Sequence, residues 1–148
     1  MFTNLQKTLE YEEAYSLKAK KEKNKKKEWE GSSAICFVYI SRIENIKAQV
    51  QFEKALHFAE SNNLKEEIVG SYFLGALVQI GFSNASKAIA LLDVALPLAE
   101  KLDDVYWRES VLQFISYILQ MSGETQRAIE IQKKTISIYK SKPLDSVY

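Results

Sequence analysis

Apolar and polar positions follow one another along this chain at the spacing of helix faces, and the pattern returns at a fixed interval. Ala48, Ala88 and Ala128 stand 40 residues apart. Lys47, Lys87 and Arg127 precede them, and Ala55-Leu56, Ala95-Leu96 and Thr135-Ile136 follow at matching distances. Ala59 and Ala99 repeat once more, with Tyr139 in the third copy. A period of this size is the mark of stacked helical units, each burying its apolar face against the next. Each copy predicts two helices: 27–41 and 45–62, 66–81 and 85–101, 105–121 and 125–141. Counting back from Ala48 and Ala59 reaches Thr8 and Ala19, so 4–23 reads as a lead helix whose apolar face is Leu5, Leu9, Tyr15 and Ala19. The expected organisation is a single domain over 1–142, with the lead helix at 4–23, repeats at 27–62, 66–101 and 105–141, and a flexible tail at 143–148.

Polar punctuation supports these boundaries. Ser83-Asn84 and Ser122-Gly123 stand ahead of the second helices of the later repeats, where a side-chain oxygen can cap open backbone N–H groups. Asn62-Asn63 and Asp103-Asp104 fall between repeats, as turn residues do. Helix 66–81 carries Ile68, Val69, Tyr72, Phe73, Ala76, Leu77, Val78 and Ile80, so it is apolar nearly all round and expected to be covered on several sides. Pro97 falls inside 85–101 and removes the bond to the carbonyl of Asp93; a bend is expected, or a helix held by its packing. Pro143 closes the last helix.

Composition narrows the picture. The chain of 148 residues has 5 Gly and 2 Pro, too few turn-formers for a many-stranded sheet fold. A single cysteine cannot form an internal disulfide, no apolar run is long enough to span a bilayer, and no signal-peptide core opens the chain. The expectation is a soluble, cytoplasmic protein. Net charge is +1, but residues 1–27 hold eight Lys and four Glu, a local basic patch on an otherwise slightly acidic chain.

Small residues also recur twelve positions before each repeat alanine, at Cys36, Ala76 and Ser116. Together with Ala48, Ala88 and Ala128, and with Ala55, Ala95 and Thr135 seven later, this resembles the tetratricopeptide repeat, in which small residues let the two helices of a unit pack closely. Phe52, Leu92 and Gln132 lie between those positions, and Tyr39 matches the family's aromatic in the first helix, whereas Gln79 and Leu119 depart from it. The period of 40 exceeds the family's 34, and the closing proline is absent. Longer repeats of this kind are similar to those of kinesin light chains and bacterial peptide-sensing regulators. The resemblance covers roughly residues 5–141 and implies an all-α fold: a right-handed α-solenoid of stacked antiparallel helix pairs, about seven helices in all.

The same resemblance implies that the first helices line a concave face. Its groove positions fall on Ser33 and Phe37, on Phe73 and Leu77, and on Gln113, Tyr117 and Gln120. These residues are the candidate partner-binding site, with an apolar centre for an extended peptide or an amphipathic helix; Phe73 and Leu77 read equally as core. The Lys and Asn clamp by which chaperone-binding relatives hold a terminal carboxylate is replaced here by Ser, Phe and Gln. Two end faces are further candidates. Leu5, Leu9 and Tyr15 at one end lack a preceding helix in the repeat scheme, and Ile129, Ile136 and Tyr139 at the other lack a following one, so self-association through an end, or membership of a longer array, is expected.

No catalytic constellation is present: there is no Gly-rich phosphate loop, no His-Glu-x-x-His and no Gly-x-Ser-x-Gly. His57 is the only histidine, expected on the surface, and Cys36 should be buried and inert; no metal and no cofactor is expected. Lys18 to Lys27 could meet phosphates, but the run has no interleaved aromatics and reads first as a solvated helix end. The sequence therefore points to a non-catalytic protein- or peptide-binding scaffold. The alternatives are a signal-peptide-sensing domain of a larger bacterial regulator and, after it, a nucleic-acid contact through Lys18–Lys27.

Overall fold

The computed structural model describes residues 4–102 and 104–141, and the backbone alone of Tyr139. Seven helices fill these residues, and no strand occurs among them: α1 (Asn4–Lys21), α2 (Lys25–Ser41), α3 (Asn45–Ser61), α4 (Lys65–Gly81), α5 (Ala85–Lys101), α6 (Val105–Met121) and α7 (Thr125–Lys140). Each helix packs against the next, and α2 also packs against α4. The protein is an all-helical repeat array. The bounds agree with the sequence reading to within two residues throughout; the tail expected at 143–148 lies outside the described residues.

The helices begin at Lys25, Asn45, Lys65, Ala85, Val105 and Thr125, so the turns recur every 20 residues, twice as often as the side-chain pattern. The turn itself explains this. Lys23, Ile43, Asn63, Ser83 and Gly123 all have left-handed backbone, with φ of 55, 61, 51, 57 and 81°. The next amide reaches back to a carbonyl five residues earlier: Asn24 to Ala19, Glu44 to Tyr39, Leu64 to Ala59, Asn84 to Gln79 and Glu124 to Leu119, at 2.8–3.0 Å. In these five turns one left-handed residue thus satisfies carbonyls at the end of the helix and reverses the chain. Asn24, Asn84 and Asp104 then cap the following helix by accepting from the amides of Lys27, Lys87 and Trp107. Ser122 does otherwise than expected. Its hydroxyl donates back to the Ile118 carbonyl, closing α6 rather than opening α7.

The 40-residue register is the packing register. Cys36 Sγ donates to the Ala48 carbonyl at 3.5 Å, and Ser116 Oγ donates to the Ala128 carbonyl at 3.3 Å, the same contact two repeats apart. Ala76 and Ala88 occupy those positions between them, and both are fully buried. Only a side chain this small lets the paired helices approach so closely, and a larger one would force them apart. Two apolar clusters result. One joins Cys36, Ala48, Phe52, Leu74 and Val78; the other runs from Val69 through Leu92 and Ile115 to Ala128. Leu91 packs against both. Burying Leu92 completely contributes about 1.5–3 kcal/mol by the usual transfer scale.

Helix α4 is the centre of the array. Gln79 bonds Gln49 of α3, Ser71 accepts from Trp29 of α2, and Phe73 meets Phe114 of α6 with ring centroids 4.7 Å apart. Pro97 leaves α5 unbroken from Ala85 to Lys101; it lies on the exposed face, as does Asp93, so water can reach the carbonyl that loses its partner.

Candidate functional site

The structure divides the seven groove residues into three groups. Ser33 is nearly covered, and its hydroxyl donates to the Glu30 carbonyl of its own helix, which leaves it little to offer a ligand. Phe73 and Leu77 are partly buried, and Phe73 is engaged by Phe114 across the α4–α6 contact. Phe37 and Tyr117 are 50% and 55% exposed, at corresponding positions of α2 and α6. Gln113 and Gln120 are exposed as well.

Gln113, Tyr117 and Gln120 come together, but with α7 rather than with α2. With Ser116 of α6 and Gln132, Thr135 and Ile136 of α7, they line a cleft of about 350 Å³. Spacings of three and four residues put the α6 members on one helix face, and the antiparallel neighbour supplies the other wall. Two of the polar groups are already satisfied: Ser116 by the Ala128 carbonyl and Thr135 by the Ile131 carbonyl. The lining therefore presents three glutamine amides, the Tyr117 phenol and the half-exposed Ile136 side chain, and it contains no charged residue.

Forty residues earlier the same seven positions hold Phe73, Ala76, Leu77, Ile80, Leu92, Ala95 and Leu96. In that pair of helices the surface is apolar, and α6 packs onto it through Phe114. Glutamine in place of Phe73, Ile80 and Leu92, and tyrosine in place of Leu77, changes an apolar seat for a helix into an open, amide-rich groove. Burying those amides under a further apolar helix would leave them unpaired, at about 1–3 kcal/mol for each.

At the opposite end, Leu5, Leu9 and Tyr15 are partly buried and partly open, and the Tyr15 hydroxyl donates to Glu30 Oε2 of α2 at 3.2 Å. Tyr11 and Leu17 are the large side chains exposed on α1 instead. Ile129 and Ile136 are exposed on α7, as the repeat scheme expects; the Tyr139 side chain is outside the described residues. Every lysine of the run Lys18–Lys27 is exposed, while Ala19 within it is buried. Lys18 pairs with Glu22 at 3.9 Å, Lys25 with Glu28 at 3.8 Å and Lys26 with Glu66 at 3.9 Å. Antiparallel packing of α1 and α2 brings Tyr11 and Tyr15 into one cleft with Lys18, Glu22 and Lys27. Both aromatics stand outside the lysine run in sequence: Tyr11 precedes Lys18 by about two turns of helix and Tyr15 by about one.

Cys36 is fully buried, and burial pushes its thiol up to about 12, so at neutral pH it is a weak donor and not a nucleophile. His57 is exposed, and Ser61 Oγ lies 3.5 Å from its Nε2. Among the described residues no group of three His, Cys, Asp or Glu side chains is placed to hold a metal ion, and no helix is long and apolar enough to cross a membrane. No protein-family model matches the chain, and a search of curated proteins finds no match to its sequence.

Proposed function

We propose that this chain is a non-catalytic binding module, similar in design to tetratricopeptide-repeat arrays, that holds an uncharged segment of a partner protein along α6 and α7. The single observation that supports this most is the exchange of apolar for amide side chains in the α6–α7 cleft. A glutamine amide both donates and accepts, so Gln113, Gln120 and Gln132 can pair with the backbone of an extended peptide. The Tyr117 ring and Ile136 then receive one apolar side chain of that peptide. The half-exposed Phe37 occupies the matching register on α2 and extends the same design.

The test is selection of peptides from a random display library against the whole chain, followed by calorimetry on the winners. Neutral peptides should bind with little response to salt, because no charge lines the cleft. Tyr117→Ala should weaken them about tenfold or more, and Gln113→Ala with Gln120→Ala by several-fold, while the fold is kept. Selected peptides that ignore all three substitutions would move the site elsewhere.

A further inference from the structure

The α1–α2 end carries a second cleft, of different chemistry. The cleft lined by Tyr11, Tyr15, Lys18, Glu22 and Lys27 has a volume of about 410 Å³, with the Tyr11 ring 68% exposed at its edge. Beyond it, Lys20, Lys21 and Lys23 are exposed, and with Lys27 they have no ion-pair partner among the described residues. Helix stability accounts for only part of this charge. Lys18, Lys20 and Lys21 suit the negative end of the α1 dipole, but Lys25, Lys26 and Lys27 open α2, where the dipole is positive and repels them.

We propose that this cleft binds single-stranded nucleic acid. One base stacks on the open ring of Tyr11, and neighbouring phosphates lie against Lys18, Lys27 and the lysines of the turn. Glu22, 3.9 Å from Lys18 Nζ, is the carboxylate of the lining and can accept from an exocyclic base amine. Two features favour this occupant over other polyanion surfaces. An anionic membrane would call for apolar side chains at the tip of the turn, and Glu22, Lys23 and Asn24 stand there instead. An acidic peptide makes no use of a ring face beside the cations.

The experiment is fluorescence anisotropy of a labelled mixed-sequence oligonucleotide of about 12 nucleotides, with the whole chain, between about 50 and 200 mM salt. Binding should weaken with salt, and Lys18→Gln with Lys27→Gln should reduce the log–log slope by about 1.4, at about 0.7 for each phosphate contact of a single strand. Tyr11→Ala should weaken binding at least about fivefold, and Tyr11→Trp should restore it. Tyr106→Ala, at a residue as exposed but on α6, is the control and should change nothing. Absence of binding at the lower salt, indifference to Tyr11→Ala, or displacement by polyglutamate as effective as by unlabelled oligonucleotide would each overturn the proposal. The α6–α7 peptide site is read separately, since its binding is insensitive to salt and to Tyr11.

Discussion

The Trp29 indole lies so close over Gly70 that a Cβ placed on that glycine would come within 2.9 Å of Cη2. Trp107 approaches the same point from α6, 3.5 Å away, so two tryptophans from flanking helices meet α4 where it has no side chain. The Trp29 ring is fixed from its other end by the 2.8 Å bond from Nε1 to Ser71 Oγ.

Gly70→Ala therefore sets two effects against each other. Alanine favours a helix by about 1 kcal/mol, while overpacking costs about 1–3 kcal/mol. Because the hydrogen bond prevents the indole from swinging aside, packing should win, with a net loss of about 1 kcal/mol in urea unfolding. A variant more stable than the parent would show that the ring yields.

Ile43 is a β-branched residue held at φ 61° and 79% exposed, so the fold bears the strain without burying the side chain. Ile43→Gly should stabilise the protein by about 1 kcal/mol, seen as a higher urea midpoint at unchanged slope. Gly123→Ala, at φ 81° with open space around it, should lower stability by a similar amount for the reverse reason.

The Cys36 thiol has a working replacement within the same molecule. Ser116 makes the corresponding bond to Ala128, so Cys36→Ser should cost less than about 1 kcal/mol, whereas Ala76→Leu should cost about 1–3 kcal/mol by parting α4 from α5. The thiol value also fixes a sign with pH. The folded state keeps its proton up to about 12, against 9.0 for an ordinary thiol, so its contribution is complete below about pH 9 and is lost as pH climbs toward 12. Urea midpoints at rising pH should fall faster for the parent than for Cys36→Ser; Tyr15 and Tyr72, whose values are also raised, are common to both proteins and cancel. Parallel curves would contradict the assignment.

Pro97→Ala should stabilise the protein by about 1–3 kcal/mol, because the proline withholds a helical hydrogen bond at an exposed position. Thermal melting of the variant is sufficient, and a fall in melting temperature would show that the ring serves the packing of α5.

The helix order and packing register could be read from side-chain size alone, since Ala48, Ala88 and Ala128 are all buried, as are Ala59 and Ala99. The shorter period of the turns could not. Its determinant is a backbone angle, met by Lys23, Ile43, Asn63, Ser83 and Gly123, which share no chemistry that a pattern could register. The groove was legible in part. Tyr117, Gln113 and Gln120 were marked by their helix, but their partners Gln132 and Ile136 belong to the neighbouring wall, and Ser33 was lost to a local bond with its own backbone. Tyr11 escaped for a related reason, because only the antiparallel return of α2 brings it beside Lys27.

Links as short as 42–44, 62–64 and 82–84 have a kinetic consequence. Among the described residues, a chain reversed in three residues offers no loop long enough to fold over a ligand as a lid. All the groups that line the α6–α7 cleft are mounted on helices, as are Tyr11, Tyr15, Lys18 and Lys27 of the α1–α2 cleft, which spares much of the entropy of arranging them at the moment of contact. Encounters at either end should therefore proceed in a single bimolecular step whose observed rate rises linearly with concentration, without the plateau that marks a slow rearrangement.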